Sequence, residues 1–247
     1  MSRASFVQRE VDRESAGSRR PLPKSMNMPT SSSPRIHERE VTIDCVSRRL
    51  EGVFAIPEGA TAVIAFAHGS GSGRHSVRNQ FVAQFLQQGG LATLLLDLLE
   101  PVEAEDRRNV FDIHLLASRL ICAADWLRDD PHTRELGIGY FGASTGGAAA
   151  LVAESRQPNR VAAVVSRGGR PDLAGDALLS VQAPTLLLVG GNDQEVLQLN
   201  QAALQRLRCP KELIVIPNAT HLFPEAGALE AVAQLARNWF VRYMKAD

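Results

Sequence analysis

The chain has 247 residues, of which 45% are hydrophobic and 22% charged, a composition typical of a globular protein that buries a full core. Its 27 basic and 27 acidic side chains give a net charge of zero. This balance lacks the basic surplus of nucleic-acid-binding and membrane-surface proteins. No apolar run approaches the roughly 20 residues needed to span a bilayer. We therefore expect a soluble protein that acts on a small molecule and binds neither nucleic acid nor membrane.

The cysteines Cys45, Cys122 and Cys209 are odd in number and have no C-x-x-C spacing. This pattern argues against a disulfide framework and against a zinc cluster. The residues before position 40 also lack the apolar central stretch of a secretory signal. We therefore predict a cytoplasmic, reducing location.

Residues 1–38 are rich in Ser, Arg and Pro and have neither a helical nor an alternating apolar period. We expect a disordered N-terminal tail here and a single α/β domain over residues 39–247. Met26 and Met28 lie close to the first periodic segment, which leaves a later translation start open.

Two kinds of segment alternate after residue 60. Short apolar runs predict buried parallel strands, and they are Ala62–Ala67, Leu91–Leu96, Leu136–Phe141, Val161–Val165, Pro184–Val189 and Leu213–Ile216. Amphipathic stretches of helical length separate them, and these are Arg78–Gln88, Asp112–Leu127, Gly146–Arg156, Glu195–Leu207 and Leu229–Tyr243.

This alternation predicts the α/β class, because each parallel strand needs a crossover that covers a face of the sheet. The alternating pattern from Val41 to Ile56 adds an antiparallel N-terminal hairpin. We expect a mostly parallel sheet with helices on both faces. The segment from Arg167 to Ala183 is the only long connection that we predict after residue 40, which leaves no room for a large cap.

A G-x-S-x-G sequence at Gly142–Gly146 lies between a predicted strand and a predicted Ala-rich helix. Small residues around a serine at such a turn let backbones approach closely and present the hydroxyl at the edge of the sheet. An ordinary turn capped by Ser or Thr is the alternative reading. The strand-to-helix position favours Ser144 as a nucleophile.

A serine hydroxyl needs a histidine to take its proton and an acid to orient that histidine. His221 is the only histidine after Ser144, and it follows the last predicted strand. Asp193 follows the preceding strand, with Glu195 and Asp172 as weaker substitutes. Asp193 could instead be a helix N-cap. The order Ser144, Asp193, His221 is the order of α/β-hydrolases.

A tetrahedral intermediate also needs hydrogen-bond donors for its negative oxygen. The N–H of Thr145 is one candidate. The second should come from the loop after the first parallel strand, where we favour Ser70 with Gly69 as the alternative. A phosphate-binding loop is the competing interpretation, but His68–Gly73 does not have the spacing of either common phosphate motif.

Arginines follow two of the predicted strands, and Arg74 and Arg167 are candidate contacts for an anionic substrate. The alternative is that both are solvated loop cations or members of structural ion pairs. Asp97, at the end of another strand, is interpreted as a turn or packing acid.

In these residues the chain resembles the α/β-hydrolase superfamily and, within it, the dienelactone hydrolase family. The resemblance covers about residues 41–245 and depends on His68–Gly73, Gly142–Gly146, Asp193 and His221. The namesake enzymes of that family have cysteine as the nucleophile, where this chain has Ser144. The resemblance implies a hydrolase of carboxylic esters, lactones or thioesters.

The sequence thus predicts a serine hydrolase that forms an acyl-enzyme and needs neither metal nor cofactor. Two alternatives stay open. The first is a catalytically silent hydrolase fold that serves as a binding module, and the second is an acyltransferase or peptidase with the same three residues. The substrate itself and the oligomeric state do not follow from the sequence.

Overall fold

The computed structural model describes residues 34–46 and 48–244. The predicted tail, residues 1–38, therefore lies outside the described residues except for positions 34–38. Of these, residues 36–38 already belong to the first strand, so regular structure begins before the expected domain start at residue 39.

The strands of the described residues form one mixed sheet in the order β1-β2-β4-β3-β5-β6-β7-β8. The strands are β1 (Ile36–Cys45), β2 (Arg48–Pro57), β3 (Ala62–Ala67), β4 (Leu91–Leu96), β5 (Gly137–Ala143), β6 (Ala163–Arg167), β7 (Thr185–Gly190) and β8 (Lys211–Ile216). Strand β2 pairs antiparallel with β1 and β4, while the pairs from β4 to β8 are parallel. The mostly parallel sheet with an antiparallel N-terminal hairpin is confirmed.

Helices cover both faces of this sheet, as the alternating pattern predicted. They are α1 (Val77–Gln88), α2 (Pro101–Ala104), α3 (Arg107–Val110), α4 (Ile113–Asp129), α5 (Thr145–Arg156), α6 (Gln194–Arg206) and α7 (Ala228–Tyr243), with a 3-10 helix at Pro171–Leu179. Helices α4 and α5 contribute to one apolar core, and α1 and α7 to the other. Because β3 to β8 run in one direction, their carboxyl ends meet along one edge, where ligands bind in such sheets.

The segment between β4 and α4 differs from the prediction. Our expectation that 167–183 is the only long connection is wrong, because residues 97–112 form a second one that carries α2 and α3. Both helices have only four residues, too few to show a helical period. Local signals do mark α2: Pro101 is its first residue, and Glu100 and Glu103 form a capping box. A large cap is still not present among the described residues.

No helix within the described part of the chain combines the length and the apolar character required to cross a membrane.

Candidate active site

Ser144 occupies a strained turn between β5 and α5. Its φ of 52° and ψ of −121° lie in a region that residues with a side chain rarely adopt. The flanking glycines make this turn possible: a Cβ on Gly142 would lie 2.4 Å from the carbonyl oxygen of Gly146, and one on Gly146 would lie 2.1 Å from that of Ala67. Backbone atoms leave no room for a side chain at Gly142 or Gly146, which explains the two glycines of G-x-S-x-G. The turn has the geometry of a nucleophile elbow.

His221 and Asp193 are in direct contact. The distance from His221 Nδ1 to Asp193 Oδ2 is 2.6 Å, although the residues follow different strands, β8 and β7. Their loops are joined by backbone: the N–H of Asn192 donates to the carbonyl oxygen of Ala219. Asp193 stands at the N-cap position of α6, yet its side chain makes no capping hydrogen bond. The Asp193 carboxylate is hydrogen-bonded to the His221 imidazole and does not cap α6 with its side chain.

The two weaker substitutes for Asp193 have other surroundings. Asp172 accepts two hydrogen bonds from the guanidinium of Arg170. Glu195 is exposed in the first turn of α6. Among the three acids that the sequence offered, Asp193 is the one that contacts His221.

Ser144 and His221 lie against the same short backbone segment. The N–H of Ser144 donates to the carbonyl oxygen of Arg167 at 3.2 Å. At the next residue, Gly168, an added Cβ would lie 3.6 Å from Cε1 of His221. The hydrogen bonds of the described residues include none between Ser144 Oγ and the ring. Such catalytic bonds commonly tighten only when substrate is bound.

The predicted oxyanion loop packs directly on Ser144. A Cβ on Gly69 would lie 2.8 Å from Cβ of Ser144 and 3.6 Å from its Oγ, so only glycine fits this position. Thr145 is the first residue of α5, where a backbone N–H has no acceptor inside the helix. Gly69 thus packs against the Ser144 side chain, and Gly69, Ser70 and Thr145 line one common cavity.

Asp97 and Leu98, directly after β4, form hydrogen bonds with both ends of the predicted oxyanion loop. At one end, Nε2 of His68 accepts the N–H of Leu98 at 3.0 Å, and its Nδ1–H donates to the carbonyl oxygen of Gly69. Burial lowers the pKa of His68, which keeps the ring neutral in this bridging role. At the other end, Asp97 accepts the N–H of Arg74 at 2.6 Å and pairs with its guanidinium. Asp97 therefore fixes the loop.

A cavity of about 280 Å³ opens beside the oxyanion loop and Thr145. Its other wall is apolar and consists of Leu99, Pro101, Ala104, Val110 and Leu116. Sequence reasoning missed this wall, most of which belongs to the unpredicted segment between β4 and α4. Their position in the sequence could have indicated this wall, because residues 98–101 follow the carboxyl end of a strand, as Ser144 does.

The two arginines singled out in the sequence have different surroundings. The guanidinium of Arg74 is bound to Asp97 and lines a surface depression that is separate from the cavity beside Thr145. Arg167 is buried, with only 7% of its surface exposed, and its Nη1 has no hydrogen-bond partner among the described residues. Burial and, secondly, the nearby charge of Arg78 lower the pKa of Arg167 to about 10.

The nearest interactions of Arg167 are weak for a buried cation. Its Nη2 lies 3.5 Å from Oδ1 of Asn79, and the guanidinium lies 5.9 Å from the centroid of the Phe223 ring. No carboxylate among the described residues forms an ion pair with it. Buried charges are normally paired, so the unpaired guanidinium next to Ser144 keeps Arg167 a candidate functional residue.

Comparisons with known proteins show the fold and the family of this chain. The crystal structure of dienelactone hydrolase from Anabaena variabilis is 55% identical, with a TM-score of 0.83 over 87% of this chain and 100% of that one. Est1E from Butyrivibrio proteoclasticus is 16% identical, with a TM-score of 0.70 over 83% of this chain and 98% of its own, and shares the fold.

A protein of Mycobacterium tuberculosis, named provisionally as a phosphoribosyl transferase, is 53% identical over 214 residues. The match covers 87% of this chain but 48% of that protein, so the chain spans about half the length of the curated relatives it matches. The profile of the dienelactone hydrolase family matches residues 51–245. This chain therefore belongs to the dienelactone hydrolase family of α/β-hydrolases.

Proposed function

We propose that the protein is a serine hydrolase that cleaves a small carboxylic ester, lactone or thioester through an acyl-enzyme. The observation that carries the proposal is the 2.6 Å contact between Asp193 and His221 at the sheet edge where the strained turn presents Ser144. Membership of a hydrolase family supports it. The name of the longer relatives belongs to proteins about twice this length and assigns no transferase activity to this chain.

The reaction follows from these positions. Ser144 Oγ attacks the carbonyl carbon while Nε2 of His221 takes the hydroxyl proton, and Asp193 stabilises the imidazolium that forms. The carbonyl oxygen becomes negative and receives hydrogen bonds from the N–H of Thr145 and from the N–H of Ser70 or Gly69. The tetrahedral intermediate expels the leaving group, which takes the proton from His221. Water then attacks the acyl-enzyme with His221 as its base, and the acid product leaves.

The cavity beside Thr145 supports a small substrate. A volume of about 280 Å³ with one apolar wall suits a short acyl or alkoxy group. We expect kcat/KM for an acetyl or butyryl ester to exceed that for the decanoyl ester of the same alcohol by at least about tenfold, because a decanoyl chain is too long to fit inside the cavity. A chain-length series of p-nitrophenyl esters measures this. Equal or faster turnover of the decanoyl ester would contradict the assignment of the cavity.

Arg167 is the residue that we propose to contact an anionic group on the substrate. We expect Arg167→Met to raise KM at least about tenfold for an ester that carries a carboxylate, since a charge-assisted hydrogen bond is lost. KM for a neutral ester of the same shape should change less than threefold. The melting temperature should not fall, because an unpaired buried charge destabilises the fold. Equal effects on both esters would refute the anion contact.

The same experiments separate the alternatives. A silent binding module would hydrolyse none of a broad ester panel and would leave Ser144 unlabelled by a fluorophosphonate. An acyltransferase or peptidase would label at Ser144 but give transfer products with added alcohols or amines, or cleave peptides.

All three cysteines are free thiols, which supports a reducing, cytoplasmic location as part of the proposal.

A further inference from the structure

Two of the three cysteines, Cys45 and Cys122, lie near each other where α4 packs on the end of β1. Cys45 is the last residue of β1, and its buried side chain faces inward like those of Val41 and Ile43. Sγ of Cys122, in the middle of α4, lies 3.5 Å from the carbonyl oxygen of Asp44. One turn earlier on the helix, Arg119 donates to the carbonyl oxygen of Cys45 at 3.1 Å. Helix α4 thus contacts the end of β1 at two successive turns.

The two cysteines line the same groove, of about 580 Å³, together with Trp126. Cys122 is partly exposed in this groove, whereas Cys45 is buried behind it. A reagent can therefore reach Cys122 first, and Cys45 directly follows Asp44, whose carbonyl oxygen the Cys122 sulfur contacts.

We propose that Cys45 and Cys122 are a reversible thiol-oxidation site, which a low-molecular-weight disulfide converts to an intrachain disulfide. The thiolate of Cys122 attacks one sulfur of the reagent and releases one thiolate, which gives a mixed disulfide. The thiolate of Cys45 then attacks the Cys122 sulfur, forms the Cys45–Cys122 bond and releases the second thiolate. Two protein thiols are oxidised and one external disulfide is reduced to two thiols.

Proximity and acidity have separate consequences at this site. Because the Cys122 sulfur already lies against the backbone next to Cys45, closing the ring needs little further ordering of the chain, which favours the intrachain product over the mixed disulfide. Burial, followed by the interaction with Cys45, raises the pKa of Cys122 to about 12. The attacking thiolate is scarce at neutral pH, so oxidation is slow there and its rate increases with pH.

The test is oxidation of the folded, full-length protein by oxidised glutathione at several pH values. Thiols are counted in denaturant after quenching, and disulfide-linked peptides are mapped by mass spectrometry. We expect the count to fall from three thiols to one, with a link between the peptides of Cys45 and Cys122 and no retained glutathione. Dithiothreitol should restore all three. The rate of thiol loss should increase about tenfold per pH unit below pH 9.

Matched variants give the control. Cys209→Ser should still lose two thiols, since Cys209 contacts Thr185 and not this pair. Cys122→Ser should lose no thiol to an intrachain bond. A stable glutathione adduct as the final product, a link that includes Cys209, or three remaining thiols at every pH would overturn the proposal. None of these outcomes depends on whether the protein hydrolyses esters.

Discussion

Ser144→Ala will lower kcat/KM for a hydrolysed ester by at least about ten-thousandfold, because no other group in the proposed mechanism can form the acyl-enzyme. The fold should be retained, since alanine removes one oxygen and keeps the backbone hydrogen bonds of residue 144 to Arg167, Gly147 and Arg170. Initial rates with an acetyl ester, measured with enough protein to detect residual turnover, give the value.

A matched control comes from α5, the helix that follows Ser144. Ser155 lies in the last turns of α5, where its hydroxyl donates to the carbonyl oxygen of Val152. Ser155→Ala should keep kcat/KM within about threefold of the unmodified protein. Residual activity above about 1% in Ser144→Ala, with a normal circular dichroism spectrum, would show that another residue is the nucleophile.

Asp193→Asn has the second largest expected effect, a loss of about a thousandfold to ten-thousandfold in kcat. The amide has nearly the shape of the carboxylate, but it can donate a hydrogen to Nδ1 of His221 and then stabilises the wrong tautomer. It also cannot stabilise the imidazolium. KM should change little, because the Asp193 side chain contacts the imidazole and is not part of the cavity wall.

Asp172 and Glu195, the two weaker candidates for the triad acid, provide the control variants for Asp193→Asn. Asp172→Asn breaks the pair with Arg170, and Glu195→Gln changes an exposed side chain of α6. Both should keep kcat within about threefold. In the double variant Ser144→Ala/Asp193→Asn, the losses should not multiply, because the residues act as one unit. A large loss in Asp172→Asn or Glu195→Gln, with an active Asp193→Asn, would reassign the acid.

Much of this site could be predicted from the sequence because its signals are local. The runs Ala62–Ala67 and Leu91–Leu96 are buried on both faces and are observed as strands with those bounds. The elbow is encoded within five residues by glycines that the close approach of backbones requires. Since parallel strands end at one edge, residues that follow β5, β7 and β8 were expected to meet there.

The remaining features depend on contacts between distant parts of the chain. Asp97 pairs with Arg74, 23 residues away, and thereby links the segment after β4 to the end of the predicted oxyanion loop. Cys122 lies beside the end of β1, which carries Cys45, only because α4 packs there. The burial of Arg167 is likewise set by α1 and by the loop that carries Phe223. No local period or spacing encodes such pairs.

The acyl-enzyme mechanism is tested most directly by locating the covalent adduct of a fluorophosphonate on the intact protein. The proposal predicts a single adduct per chain, mapped by peptide mass spectrometry to Ser144, that forms together with the loss of esterase activity. It also predicts that labelling slows in Asp193→Asn, where His221 is held in the wrong tautomer. An adduct on another residue, or complete inactivation with Ser144 unmodified, would contradict the mechanism.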